Sequence, residues 1–584
     1  MRIRPRLFWV TLLLTAIFAM ISLALRLENG AAPTPPEGDP PPATPSEPAE
    51  SLPVATPSAP PAFPNDDGSA GPAIFVEAVA QDVDTFNPVL TTNPTSLAVA
   101  RKIFPALLGL DEQSGLPVPT ALVETWAPSP DGRSYTFTLR SDRAWSDGQP
   151  VTAWDVQFTF AALTSEAVQS PYRAALASIE QVVVINDQTL VVTFQQADCS
   201  LLHRLRHPLL PSHRYAVDFG DLRDNPLNLA PTVNAGAFRF DEWRPGDAIR
   251  LVRSPDTRDE GEGAPPVDEW HYRIQPDAAL QVAELLAGQL HAASIPADLV
   301  AMVAGNEGVV LHQVPGDSFS FLALNLADPQ APQAGQDAAG RLVAQTPHPI
   351  LGEPWVRRAV ALALDTAPLL AIAYGEQRYR LPSYVLPTVD WAYDQSLTPL
   401  PHAPAEAATL LDEAGWVMGA DGVRTRGGEP LALTLITNDD NAARVQMGAL
   451  AQQQLAQAGI AVEFTPLPFE AMAAALLGQQ FDLALAGWEQ IGPDPAASTF
   501  WHSRDDRPGV GLNVVSFQDA ELDRWLDEAA AWPGCAPEPR GERYRLAQQR
   551  LYAETPFIVL GGPLVTWAYD ARWQHLTPGP WGKE

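Results

Sequence analysis

Three stretches of the chain differ in how apolar and polar positions alternate. Leu7 to Leu25 is uncharged and mostly apolar, and follows the basic flank MRIRPR. It is long enough to cross a bilayer as a helix, with residues 1–6 cytoplasmic and the rest outside. It serves either as an uncleaved anchor or as a signal segment that is removed. Residues 26–72 carry very few large apolar side chains and many prolines. Such a segment buries no core and is expected to be an extended, disordered spacer. From Ala73 onward the pattern becomes that of a globular body.

The first part of that body mixes short strands, hairpins and helices. IFVEAVA (74–80) and SYTFTLR (134–140) read as strands, and SLAVARKIFPALLG (96–109) as an amphipathic helix. PVTAWDVQFTFAAL (150–163) reads as a helix, with Thr152 and Asp155 spaced as a capping pair. VVVINDQTLVVTF (182–194) and FRFDEWRPGDAIRLVRS (238–254) read as hairpins. The later part alternates strand and helix: LALTLITN (431–438), the helix 441–459, IAVEFTPL (460–467), the helix 469–479 and FDLALAGW (481–488). Apolar strands alternating with helices predict parallel pairing, with right-handed crossovers. In such sheets ligands sit beyond the carboxyl ends of the strands, here Thr437-Asn438, Pro466-Leu467 and Gly487-Trp488. The expected fold class is α/β, a mixed α+β part joined to an α/β part.

Composition narrows the function. The formal charge is −32, from 69 acidic and 37 basic residues, which repels phosphate backbones and argues against a nucleic-acid partner. Only Cys199 and Cys535 are present. They can pair in an oxidising compartment or remain two buried thiols, and no CxxC metal or redox motif exists. Nucleotide-binding, metalloprotease and hydrolase motifs are absent too, so no cofactor and no metal are expected. His203 and His207 are read as a solvated helix face rather than a metal pair. Glu489 and Asp494 beside Trp488 have the composition of a glycosidase pair, but Asp494 between two prolines reads more simply as a turn residue. Trp488 itself is either a ligand platform or a core aromatic at a strand end.

The order of segments resembles the extracellular solute-binding proteins of family 5, the receptors of peptide- and nickel-type ABC importers. VETWAPSPDGRSYTFTLRSDRAWSDGQPVTAWDVQFTF (123–160) is the most specific stretch. DTFNP (84–88), NAGAFRF (234–240), FLALNLA (321–327), EPWVRRAVALALD (353–365), AEAATLLDEAGW (405–416) and FDLALAGW follow in the family's order. The resemblance implies a two-lobed, Venus-flytrap periplasmic-binding-protein architecture. Lobe one would span 73–318, with an inserted subdomain at about 115–230. Lobe two would span 319–550, and residues 551–584 would return to lobe one. Hinge crossings fall near SFSFLALN (318–325) and PFIVLGG (556–562). The chain would be extracytoplasmic, a single copy, tethered near an ABC permease, and not an enzyme. The alternatives are a receptor-like sensor or partner-binding protein, or a glycosidase-type enzyme.

The resemblance also implies which residues touch the solute. Peptide receptors of the family carry an Asp three residues after the tryptophan, for the peptide's amino group. Oligopeptide receptors carry an Arg three residues before it, for the carboxylate. Here those positions are Ile491 and Leu485. A charged terminus buried without a partner costs several kcal/mol, which points to an apolar, neutral or sugar-like solute over a free-ended peptide. Glu489 and Asp494 remain as displaced anchors. On the other lobe the candidates are Asp84, Thr85, Phe86 and Asn87, with a structural turn as the alternative.

Overall fold

In a computed structural model, residues 72–576 are described, apart from Val217, 256–266, Gln490 and Ala497. The expectations for residues 1–71 lie outside them. Among the described residues no helix is long and apolar enough to cross a membrane.

The dominant element is a twelve-stranded sheet. Its strands are β1 (Ile74–Val79), β2 (Phe238–Arg244), β3 (Ala248–Arg253), β4 (Glu269–Ile274), β5 (Ala292–Ile295) and β6 (Val309–Pro315). They continue as β7 (Phe319–Leu324), β8 (Arg378–Arg380), β9 (Ala432–Asn438), β10 (Ala461–Leu467), β11 (Leu483–Trp488) and β12 (Phe557–Asp570). The order is β10-β9-β11-β7-β12-β5-β1-β4-β3-β2, with β6 and β8 also paired to β12. The helices used below are α1 (Pro94–Ile103), α2 (Ala153–Thr164), α3 (Ala442–Gln457), α4 (Phe469–Leu477), α5 (Ala520–Ala530) and α6 (Pro537–Glu554).

The β–α–β–α–β stretch forms as the apolar pattern predicts. β9 pairs in parallel with β10 on one side and β11 on the other. Asn441 caps α3 by accepting the Arg444 N–H. The hairpins at 182–194 and 238–254 form antiparallel pairs. One element is shorter than its pattern. α1 ends at Ile103, because Phe104 precedes Pro105 and turns extended at φ −115°, ψ 142°. Leu108–Leu110 then becomes a short strand.

α2 shows how the segment 123–160 is held together. The Asp155 carboxylate accepts the Thr152 N–H at 2.8 Å, the indole N–H of buried Trp145 at 3.2 Å, and the Ser212 N–H and hydroxyl at 2.8 and 2.6 Å. A single buried acid thus fixes a helix start, a core aromatic and a later loop.

Three cores form around the sheet. The first gathers apolar residues from Phe75 to Ala292, together with Tyr569. The second and third lie on the two faces of β7 and β11. Leu483 and Leu485 enter the second core, whereas Ala484 and Ala486 enter the third, as strand alternation requires. β12 joins the parts: Phe557–Gly561 pairs with β7, and its later residues pair with β5 and β6. Gly561 (φ +149°) and Gly562 sit where this strand passes from one set of partners to the other. A Cβ there would lie 2.0 Å from the Tyr379 carbonyl or 2.2 Å from the Ser318 carbonyl, so only glycine fits. Cys199 and Cys535 form a disulfide, with their Cα atoms 5.5 Å apart.

Candidate functional site

The carboxyl end of β11 opens on a cavity of about 180 Å³. Trp488, Phe319, Leu386, Val389, Ile491 and Phe500 supply most of its apolar wall. Trp488 lies opposite Phe319 across the β11–β7 pair. Its ring stacks on Phe321 at 5.5 Å and 25°, and packs against Phe500 at 4.4 Å. The loop after the strand is pinned, since the Ile491 N–H donates to the Asp317 carbonyl at 2.8 Å. That bond ties the cavity wall to the crossing between β6 and β7.

Two polar groups stand out in this wall. Tyr384 and Trp501, 6 % and 3 % exposed, line the cavity with their rings 5.7 Å apart. The Tyr384 hydroxyl and the Trp501 indole nitrogen are buried without a hydrogen-bond partner. Buried donors are ordinarily satisfied, so each such group asks what it serves. Burial, and to a lesser degree Asp494, raises the Tyr384 pKa, which keeps its hydroxyl a neutral donor.

The acids behave differently from one another. Asp494 lines the cavity, but its carboxylate is bound to Arg540 at 2.7 Å, with side chains only 5 % and 2 % exposed. Arg540 also donates to the Ala529 carbonyl and lies over the Trp391 ring. Asp494 is thus the internal partner of an arginine, which corrects the reading of it as a displaced ammonium anchor. Glu489 lines the cavity beside Trp488.

The other sequence candidates are placed elsewhere. Leu485 is 3 % exposed in the second core, on the face of β11 opposite Trp488. Asp84, Thr85, Phe86 and Asn87 form a turn that uses its own polar groups. Asp84 accepts from Thr91 at 2.6 Å and Ser96 at 2.8 Å. Thr85 donates to the Asn228 carbonyl, and Asn87 donates to the Asn228 side chain and accepts the Val89 N–H. Phe86 is fully buried against Phe240 and Trp243.

Sequence reasoning missed Tyr384, Phe500 and Trp501. Tyr384 lies in a loop and Trp501 ends the four-residue helix Ser498–Trp501, so neither belongs to a periodic pattern. The aromatic pair Phe500-Trp501 soon after the proline-rich turn was the available signal. His203 and His207 are not on a solvated helix face. They lie in and just after the 3-10 segment Cys199–Arg206, and burial pulls their pKa values down to about 4 and about 3. Among the described residues no cluster of His, Cys, Asp or Glu is suited to a metal ion.

The sheet, its long crossing strand and a cavity at a strand's carboxyl end define a binding-protein fold. The profile of the bacterial extracellular solute-binding proteins, family 5, matches residues 117–508, and the chain belongs to that family. It is similar to Protein XP55 of Streptomyces lividans, 27% identical over 525 residues covering 89% of each chain. It is also similar to the oligopeptide-binding protein AppA of Bacillus subtilis, 24% identical over 82% of this chain and 84% of that one. The glutathione-binding protein GsiB of Salmonella typhimurium is 25% identical over 83% and 88%. Among solved structures, HbpA2 from Haemophilus parasuis matches with a TM-score of 0.71 at 18% identity, over 85% of this chain and 96% of that one. The fold is therefore the two-lobed one of periplasmic binding proteins of this family.

Proposed function

We propose that the protein is an extracytoplasmic receptor that captures a small uncharged solute between two lobes and delivers it to an ABC import permease. The observation that carries the solute class is the cavity beside Trp488. It combines an aromatic wall, in which the buried Tyr384 hydroxyl and Trp501 indole N–H have no partner, with a buried carboxylate, Asp494, that is bound to arginine. An apolar, uncharged body matches that wall and adds no buried charge. Ile491 agrees, since it offers no group to an ammonium. Relatives are named for oligopeptide and glutathione binding, so peptide-like solutes belong among those tested.

The lobes in this proposal are 73–318 with an insert at about 115–230, 319–550, and the return of 551–584 to the first. The separate cores and the crossing at 316–318 support two lobes, whereas Phe557, Ile558 and Leu560 lie in the second and third cores, which favours a return to the first lobe that begins near 562. Closure follows from a solute that contacts both lobes and so favours the closed state. Leu7–Leu25 serves as the membrane anchor and 26–72 as the spacer, which raises the receptor's effective concentration at its permease. The protein acts as a single copy and carries out no chemistry on its cargo.

Native mass spectrometry of the purified full chain tests the proposal through the mass of any retained solute. An uncharged small molecule, absent from Trp488→Ala prepared in parallel, is expected. A retained zwitterionic peptide or metal chelate held equally by Trp488→Ala would refute it.

A further inference from the structure

The disulfide bears on how the two parts of the body move. Cys199 opens the 3-10 segment whose Leu201, Leu202 and Leu205 belong to the first core. Cys535 closes the turn Pro533–Cys535 between α5 and α6, helices that place Leu522, Leu526 and Tyr544 in the third core. The bridge therefore ties parts with separate cores, across a sequence separation of 336. Near it, the Tyr135 hydroxyl lies 3.3 Å from the Cys535 sulfur and the Trp532 carbonyl 3.5 Å from the Cys199 sulfur. None of these residues belongs to β6, β7 or β12, which form the crossings.

Two parts joined at two crossings can rotate about the line through them. A third covalent tie away from that line removes the rotation. We propose that Cys199–Cys535 is a thiol–disulfide exchange site that gates the solute cleft: oxidised, it holds the two parts in one arrangement; reduced by a dithiol, it frees them to rotate. The proposal rests on the two-lobed receptor reading above. A thiolate of the dithiol attacks one sulfur of the bridge, forming a mixed disulfide and releasing the other cysteine, which takes up a proton. The second thiol of the reductant then displaces the remaining cysteine. The bridge is reduced to two thiols and the dithiol leaves oxidised to a disulfide.

The local structure favours this chemistry at one end. Cys535 is partly exposed, whereas Cys199 is 3 % exposed, so attack is easier at Cys535. Cys535 also holds φ at +56°, beside Gly534 at +69°. A non-glycine residue occupies that region at a cost.

Hydrogen exchange of the purified full chain, before and after dithiothreitol, reads the gate directly. Reduction is expected to speed exchange about tenfold in 384–389, 483–489 and 532–536, while β9 and α3 stay unchanged, as local opening requires. The double variant Cys199→Ser/Cys535→Ser should match the reduced protein with or without the reductant. Unchanged exchange in those segments, with both thiols shown free by alkylation, would overturn the proposal. Acceleration that extends through β9 and α3 would overturn it too, as would free thiols in protein purified without reductant. No solute enters this experiment, so failure of the Trp488 site as a solute site leaves its outcome unaffected.

Discussion

The turn at 84–87 and the strand end at 488–501 look alike as sequence: each sets an acid beside an aromatic residue and a Pro. In the folded chain they are opposites. The first uses its polar groups on its own backbone and on Asn228, and buries Phe86 completely. The second surrounds a cavity, leaves the Trp501 indole N–H without a partner beside the equally unpartnered Tyr384 hydroxyl, and ties its buried acid to an arginine. On the proposed function, binding capacity lies where polar groups are left over, not where they are most numerous.

The contrast can be broken by substitution, and the largest effect belongs to Arg540. Arg540→Met leaves Asp494 buried without its cation and should lower unfolding stability by about 3–5 kcal/mol, read by chemical denaturation. A cost near zero would mean that Asp494 is free to serve a ligand. Next is the turn: Asn87→Ala strands the Asn228 side chain and the Val89 N–H, and should cost about 1–3 kcal/mol of stability. Solute affinity per folded molecule should not change, and a selective loss of binding would move the site to lobe one. Trp488→Ala should show the reverse, an affinity about tenfold weaker, or about 1.4 kcal/mol, with a smaller cost in stability.

The effect that is smallest near neutral pH is a pH dependence that belongs to the turn. The His207 ring hydrogen-bonds the Pro88 carbonyl, and burial, followed by Arg101, pulls its pKa down to about 3. The unfolded value is about 6.5, so the folded state favours the neutral ring. The stability this contributes is full above about 6.5 and is lost as pH falls from there toward 3. His207→Gln should flatten that part of the stability–pH curve; an unchanged slope would assign the acid sensitivity to other groups.

Much of this was legible in the sequence, for physical reasons. The strands and helices from Leu431 to Trp488 carry strong periodicity, and tertiary packing did not override it. The parallel order then put Trp488 at a strand's carboxyl end without reference to any relative. Strand alternation is equally readable, and the odd spacing of Leu485 from Trp488 sends it to the opposite face. Amphipathicity predicts a helix running on to Gly109, but Pro105 restricts Phe104 to the extended region and ends α1 at Ile103. Tyr384 and Arg540 were not legible at all. Their roles depend on contacts across long separations, such as Arg540 with Asp494, and no local pattern encodes those.

The central claim, an uncharged solute held beside Trp488, is tested most directly by titrating the full chain with one apolar dipeptide in two forms. Acetyl-Leu-Phe-amide and free Leu-Phe share their side chains and differ only in terminal charge. The expected result is that the blocked form binds more tightly than the free form and that Trp488→Ala weakens it about tenfold. Tighter binding of the free form, undiminished in Trp488→Ala, would contradict the claim.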